Sequence, residues 1–222
     1  MKKFIKLLTL ILIAFTLISG CFYYLQGGLW LKSLTSFGFV ATGLANLIYA
    51  LKEKACDRFV IFTFCGLFFS FLGDIVINLS FIPGALIFAL GHVFYFAAFC
   101  SREGFSKRDF VYVAAMLVIS LAILLLYPGF NFDTLILCVC VFYSIIISFM
   151  AGKAISGYFA SRSAVNLILA IGAILFFSSD AALVLYMFGN AGKAADTVCL
   201  FTYFPAQCIL AYGMHKYLAK KI

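Results

Sequence analysis

Two aspartates lie where a carboxylate is costly. Asp74 sits in Phe68-Phe69-Ser70-Phe71-Leu72-Gly73-Asp74-Ile75-Val76-Ile77-Asn78, inside an apolar run from Phe59 to Leu79. Asp180 closes a similar stretch about a hundred residues later, Phe176-Phe177-Ser178-Ser179-Asp180. A charge in the middle of a membrane span costs roughly 2.5–3.5 kcal/mol on insertion scales, so such a residue faces the bundle interior and has a use. Two carboxylates at matched depth suit proton transfer or cation binding. Helical spacing puts Gly66, Ser70, Asp74 and Asn78 on one face, with Phe and Leu on the others. Among the few other polar residues deep in apolar segments are His92 with Tyr95 nearly one turn on, and Tyr203 with Gln207 at i, i+4. Lys32, beside Trp30, reads equally as a functional cation or an interfacial anchor; Tyr95 and Tyr203 also read as packing residues.

Several chemistries fall away. His92 and His215 are the only histidines and lie at opposite depths, with His215 reading as an interface residue, so a zinc hydrolase lacks its ligands. No Gly-x-Ser-x-Gly elbow, phosphate-binding glycine loop or dinucleotide fingerprint occurs, and no cofactor or metal is implied. The eight cysteines have no metal-site spacing and read as small packing residues.

The elements that must position these groups are membrane spans. The chain of 222 residues is 66 % hydrophobic and 11 % charged, which excludes a soluble domain. The pattern predicts an all-α, polytopic transmembrane helical bundle in one integral domain over 1–222. Eight spans are expected: Phe4–Tyr24, Ser33–Leu51, Phe59–Leu79, Pro83–Cys100, Phe110–Leu126, Thr134–Met150, Ala164–Phe188 and Thr197–Leu218. The net charge of +8 sits in short loops on alternate sides, which argues for topology and against nucleic acid. With the N-terminus inside, fourteen Lys and Arg fall in the cytoplasm and only Lys32 and Lys193 outside. Both termini are then cytoplasmic, and both aspartates lie in the outer half of the membrane.

Met1 to Cys21 also fits a lipoprotein signal cut before Cys21; an uncleaved first helix is the favoured reading. The two acidic stretches occupy the third span of each half, as in a 4+4 parallel repeat, with coincidence among Phe-rich helices as the competing account. Pro205 is expected to kink the last span.

At these residues the chain resembles the YhhN family, the lysoplasmalogenase-like integral membrane proteins. The likeness rests on Trp30-Leu31-Lys32-Ser33-Leu34-Thr35, Ser70-Phe71-Leu72-Gly73-Asp74, Gly91-His92-Val93-Phe94-Tyr95, Phe177-Ser178-Ser179-Asp180 and Thr202-Tyr203-Phe204-Pro205-Ala206-Gln207. Ser33 departs from the proline expected after the lysine. The resemblance implies a hydrolase in the cell membrane that cleaves the vinyl-ether bond of a lysoplasmalogen. The products would be a fatty aldehyde and a glycerophospho-ethanolamine or glycerophosphocholine, the substrate a lysophospholipid drawn from the surrounding membrane lipids.

That chemistry needs a carboxylic acid to protonate carbon and a carboxylate to stabilise the resulting cation or deprotonate water, as paired carboxylates do in glycoside hydrolysis. Asp74 and Asp180 are the expected catalytic pair, facing each other across a cavity, with Asp74 favoured as the acid because Gly73 admits a substrate chain. Lys32, Asn78, His92, Tyr95, Tyr203 and Gln207 are the expected substrate-binding residues, with Lys32 meeting the headgroup phosphate. Two rivals stay open: a proton-coupled or small-molecule carrier, and an intramembrane aspartyl protease, whose Gly-x-Gly-Asp pattern is broken by Phe71. Headgroup, chain preference and oligomeric state are not set by the sequence.

Overall fold

The computed structural model describes all 222 residues and shows eight helices and no strands. They are α1 (Lys2–Gln26), α2 (Leu29–Lys52), α3 (Arg58–Val76), α4 (Phe81–Glu103), α5 (Asp109–Leu126), α6 (Thr134–Ala160), α7 (Ala164–Phe188) and α8 (Gly192–Lys221). All eight are long and apolar enough to cross a bilayer. Large apolar side chains stand exposed along the bundle, Trp30 at 79 % and Leu126 at 78 %, a surface that suits lipid rather than water.

Local sequence sets the helix ends. The α1–α2 connection is two residues, Gly27 and Gly28, both at positive φ (70° and 93°), a conformation glycine adopts without strain. Asp57, Asp133 and Ser163 accept from the amides of Val60, Ile136 and Asn166, capping α3, α6 and α7.

Two boundaries differ usefully from the hydropathy reading. Helix α6 runs ten residues beyond Met150, to Ala160. Hydropathy stops at Lys153, but that lysine is buried, and Gly152 lets the helix lie against the backbone of Val113. Helix α3 ends at Val76, so Asn78 falls in the following turn rather than in the span. Helix α8 continues through Pro205 without a break.

Packing is closest in the pairs α3–α4 and α7–α8, where glycines admit neighbouring side chains. A Cβ on Gly66 would fall 2.7 Å from the Tyr95 ring, and one on Gly213 would fall 2.7 Å from Leu169. Within each half, consecutive helices pack together: α1–α2–α3–α4 and α5–α6–α7–α8. The halves join through α4 on α6 and α8 on α2, and α8 also meets α1 and α3. Helix α5 packs chiefly on α6.

Candidate functional site

Asp180, in the second half of α7, carries one carboxylate centre. The Tyr143 hydroxyl on α6 donates to its Oδ2 at 2.6 Å. His92 Nε2 on α4 stands 3.0 Å from that oxygen and 2.7 Å from the Tyr143 hydroxyl, so the three side chains close a triangle. Oδ1 has only the Ser179 hydroxyl, at 3.3 Å. His92 is fully buried, whereas the Asp180 side chain keeps 12 % of its surface. That surface borders a mostly apolar cavity of about 60 Å³ among α4, α5, α6 and α7, walled by Tyr143, Phe88, Ser144, Phe177 and their neighbours.

Asp74, on α3, carries the other centre, and it is sealed. Ser36 on α2 and Tyr203 on α8 both donate to Oδ2 at 2.6 Å. Lys32 Nζ lies 3.5 Å from Oδ1, with the side chain 13 % exposed and that of Asp74 2 %. Lys32 therefore turns its ammonium inward to the carboxylate. Asp74 does not border the cavity that Asp180 lines.

The remaining expected residues, Asn78, Tyr95 and Gln207, bond to neither carboxylate. Asn78 donates to the Asp74 backbone carbonyl at 2.5 Å and leaves its carboxylate alone. The Tyr95 hydroxyl donates to Gln207 Oε1 at 2.7 Å, both side chains fully buried. Phe176 stands between the centres, its ring 4.5 Å from that of His92 and 5.4 Å from that of Tyr203. No group of three His, Cys, Asp or Glu side chains converges as a metal-ligand set.

Two residues escaped the sequence reading. Tyr143 holds the Asp180 centre together, and its one signal was a phenol midway along an otherwise apolar span. Ser36 had no signal, since a serine among small residues marks a packing seam as readily as a donor. A third polar cluster was also missed, at the end where α5 begins. Asp109 is fully buried there and accepts from Lys153 at 2.9 Å and Ser156 at 2.5 Å, so Lys153, counted as a loop charge, is an interior ion-pair partner. His215 is buried too, bonded to Asn46 at 2.9 Å.

The model of the YhhN family matches residues 35–214, from inside α2 to near the end of α8. The chain belongs to the YhhN family. The matched stretch takes in both aspartates, His92, Tyr143, Tyr203 and Gln207. It begins after Lys32, leaving α1 and the Trp30-Leu31-Lys32 stretch outside the family region. No significant match was found among curated proteins or solved structures.

Proposed function

We propose that the chain is a membrane-embedded lipid hydrolase that cleaves the vinyl-ether bond of a lysoplasmalogen, with Asp180 as its acid. One observation carries the reading: a carboxyl group held by Tyr143 and His92 borders an apolar cavity open to an alkyl chain. The cavity takes the reacting bond and its nearest carbons, while the rest of the chain runs out past α5 into lipid. With the N-terminus in the cytoplasm of the cell membrane, as the placement of basic residues suggests, the reaction occurs in the outer half of the bilayer.

Hydrolysis begins when protonated Asp180 gives its proton to the vinyl carbon farther from oxygen, leaving an oxocarbenium ion on the ether carbon. Water adds to that carbon and loses a proton to the carboxylate, so one residue serves as acid and then base. The hemiacetal collapses to a fatty aldehyde and the alcohol of the glycerophospholipid. Tyr143 and His92 both engage Oδ2, which leaves Oδ1, with one long contact, as the oxygen to carry the transferred proton. In this reading only one of the two aspartates touches substrate, and the acid is Asp180 rather than Asp74.

Purified protein incubated with a lysoplasmalogen, the matching ester lysophospholipid, a peptide and a cation tracer tests the assignment. Aldehyde release from the vinyl ether alone is expected. Peptide cleavage or tracer uptake without aldehyde would replace the hydrolase with the protease or carrier.

A further inference from the structure

The two carboxylate centres are built alike. Asp74 is the seventeenth residue of α3 and Asp180 the seventeenth of α7; Tyr203 is the twelfth of α8 and His92 the twelfth of α4. If the chain is divided after α4, α3 corresponds to α7, α2 to α6, and α8 to α4. Asp74 then takes its partners from α2 (Ser36, Lys32) and α8 (Tyr203), and Asp180 takes its own from the corresponding α6 (Tyr143) and α4 (His92). The helix neighbours agree: α2 on α8 mirrors α6 on α4, and each half packs its own helices in sequence. A third likeness lies at the other end of these helices. The start of α3 is tied to the end of α8 (Asp57 with Tyr217), and the start of α7 to the end of α4 (Asn166 with Arg102).

Two differences separate the copies. The first has Lys32 against its carboxylate, and no lysine or arginine stands beside Asp180. In the first, α1 packs on α8, with Gly20 under the Phe204 ring. At the corresponding place in the second, between α5 and α4, lies the cavity, walled by Ser120, Ile123 and Leu124 on one side and Ala85 and Phe88 on the other.

We propose that Asp74 and Asp180 are the same position of a duplicated four-helix unit and that the copies have divided their labour. Lys32 occupies the first centre as a built-in cationic ligand, which makes Lys32 and Asp74 positioning residues; the second centre is left open to substrate. Positioning passes through rings. The Tyr203 ring, fixed by its bond to Asp74, stands edge-on to Phe176 at 5.4 Å and to Phe88 at 6.0 Å. Phe176 lies against His92 and Phe88 walls the cavity. The proposal rests on the hydrolase reading only for which centre turns over; the occupancy of the first centre stands without it.

Lys32→Met, Asp74→Asn, their double variant and Asp180→Asn, each purified in detergent, separate the roles. Each single change at the first centre leaves an unmatched buried charge, so it lowers the thermal midpoint and lowers kcat per folded molecule with KM nearly unchanged. The double variant removes both charges together, so it recovers the midpoint and returns kcat to within about tenfold of the parent, a non-additive result expected of contacting residues. Asp180→Asn keeps the parental midpoint and loses turnover. A double variant as unstable as the summed singles, or one that folds but is as inactive as Asp180→Asn, overturns the proposal. Recovery of the midpoint with no vinyl-ether cleavage by any protein, the parent included, overturns the hydrolase reading and leaves the occupied first centre standing.

Discussion

Tyr143 is the side chain on which the Asp180 centre depends, because its one hydroxyl meets both the carboxylate and the imidazole. Tyr143→Phe keeps the ring and removes the hydroxyl. Hydrogen bonds to charged groups are worth about 1.5–3 kcal/mol, so turnover should fall about tenfold to a hundredfold while the protein stays folded. Undiminished turnover by a folded Tyr143→Phe would take the tyrosine out of the mechanism. At this scale the sequence disclosed the residues whose placement was expensive: Asp74, Asp180 and His92 stood out because an apolar span tolerates such groups only for a reason. It did not disclose their partners. A lysine stem at a helix end reaches outward or inward with equal ease, so the sequence flagged Lys32 as unusual but not where its ammonium goes. A phenol in a span packs or bonds according to the neighbouring helix, and no pattern within α6 says which.

Helix α3 illustrates what governs the elements. Its packing on α4 depends on Gly66, where any Cβ would press within 2.7–2.8 Å of the fully buried Tyr95 ring. Gly66→Val should therefore destabilise by about 1–3 kcal/mol, the usual range for overpacking, and thermal unfolding in detergent measures it. An unchanged midpoint would mean that the α3–α4 seam has slack.

The start of α3 carries a pH dependence. Burial raises the Asp57 carboxyl, but hydrogen bonds from Lys221, Tyr217 and the Val60 amide outweigh it and hold the group below its usual range. A carboxyl lowered on folding contributes stability above its unfolded value of about 3.9, and that contribution is lost as pH falls through the folded value. Asp57 is partly exposed, so the effect is small, under about 1 kcal/mol. Asp57→Asn should lower the midpoint slightly at pH 7, with the difference from the parent shrinking below about pH 4. A difference that persists at low pH would point to the neutral cap alone. All eight elements were legible, since lipid demands long apolar helices. Their ends were less so, because α6 continues past Lys153 by virtue of Asp109 on another helix, and such a partner is invisible to local hydropathy.

Across the whole molecule, symmetry and its breach explain the architecture together. The halves repeat the same order of neighbours, and α8 meets more helices than α4 does, because α1 fills on one side the seam that α5 leaves open on the other. The short echo Phe-Phe-Ser…Asp drew attention to the two helices, but its Phe-Phe-Ser pieces sit two residues out of register once Asp74 is set against Asp180, so the likeness lies in the neighbours rather than in that string. The closed and open seams were not visible, since they arise from how two outer helices lean on the bundle.

The central claim is that Asp180 protonates carbon in a vinyl ether, and reaction in heavy water tests it most directly. Parent and Asp180→Asn proteins are incubated with a lysoplasmalogen in D₂O, and the aldehyde is trapped and weighed by mass spectrometry. The account predicts one deuterium on the carbon next to the aldehyde group for the parent, and release at least ~10²-fold slower from a folded Asp180→Asn protein, the low end of a general acid's contribution. Equal release by both proteins, or none from the parent, would contradict it.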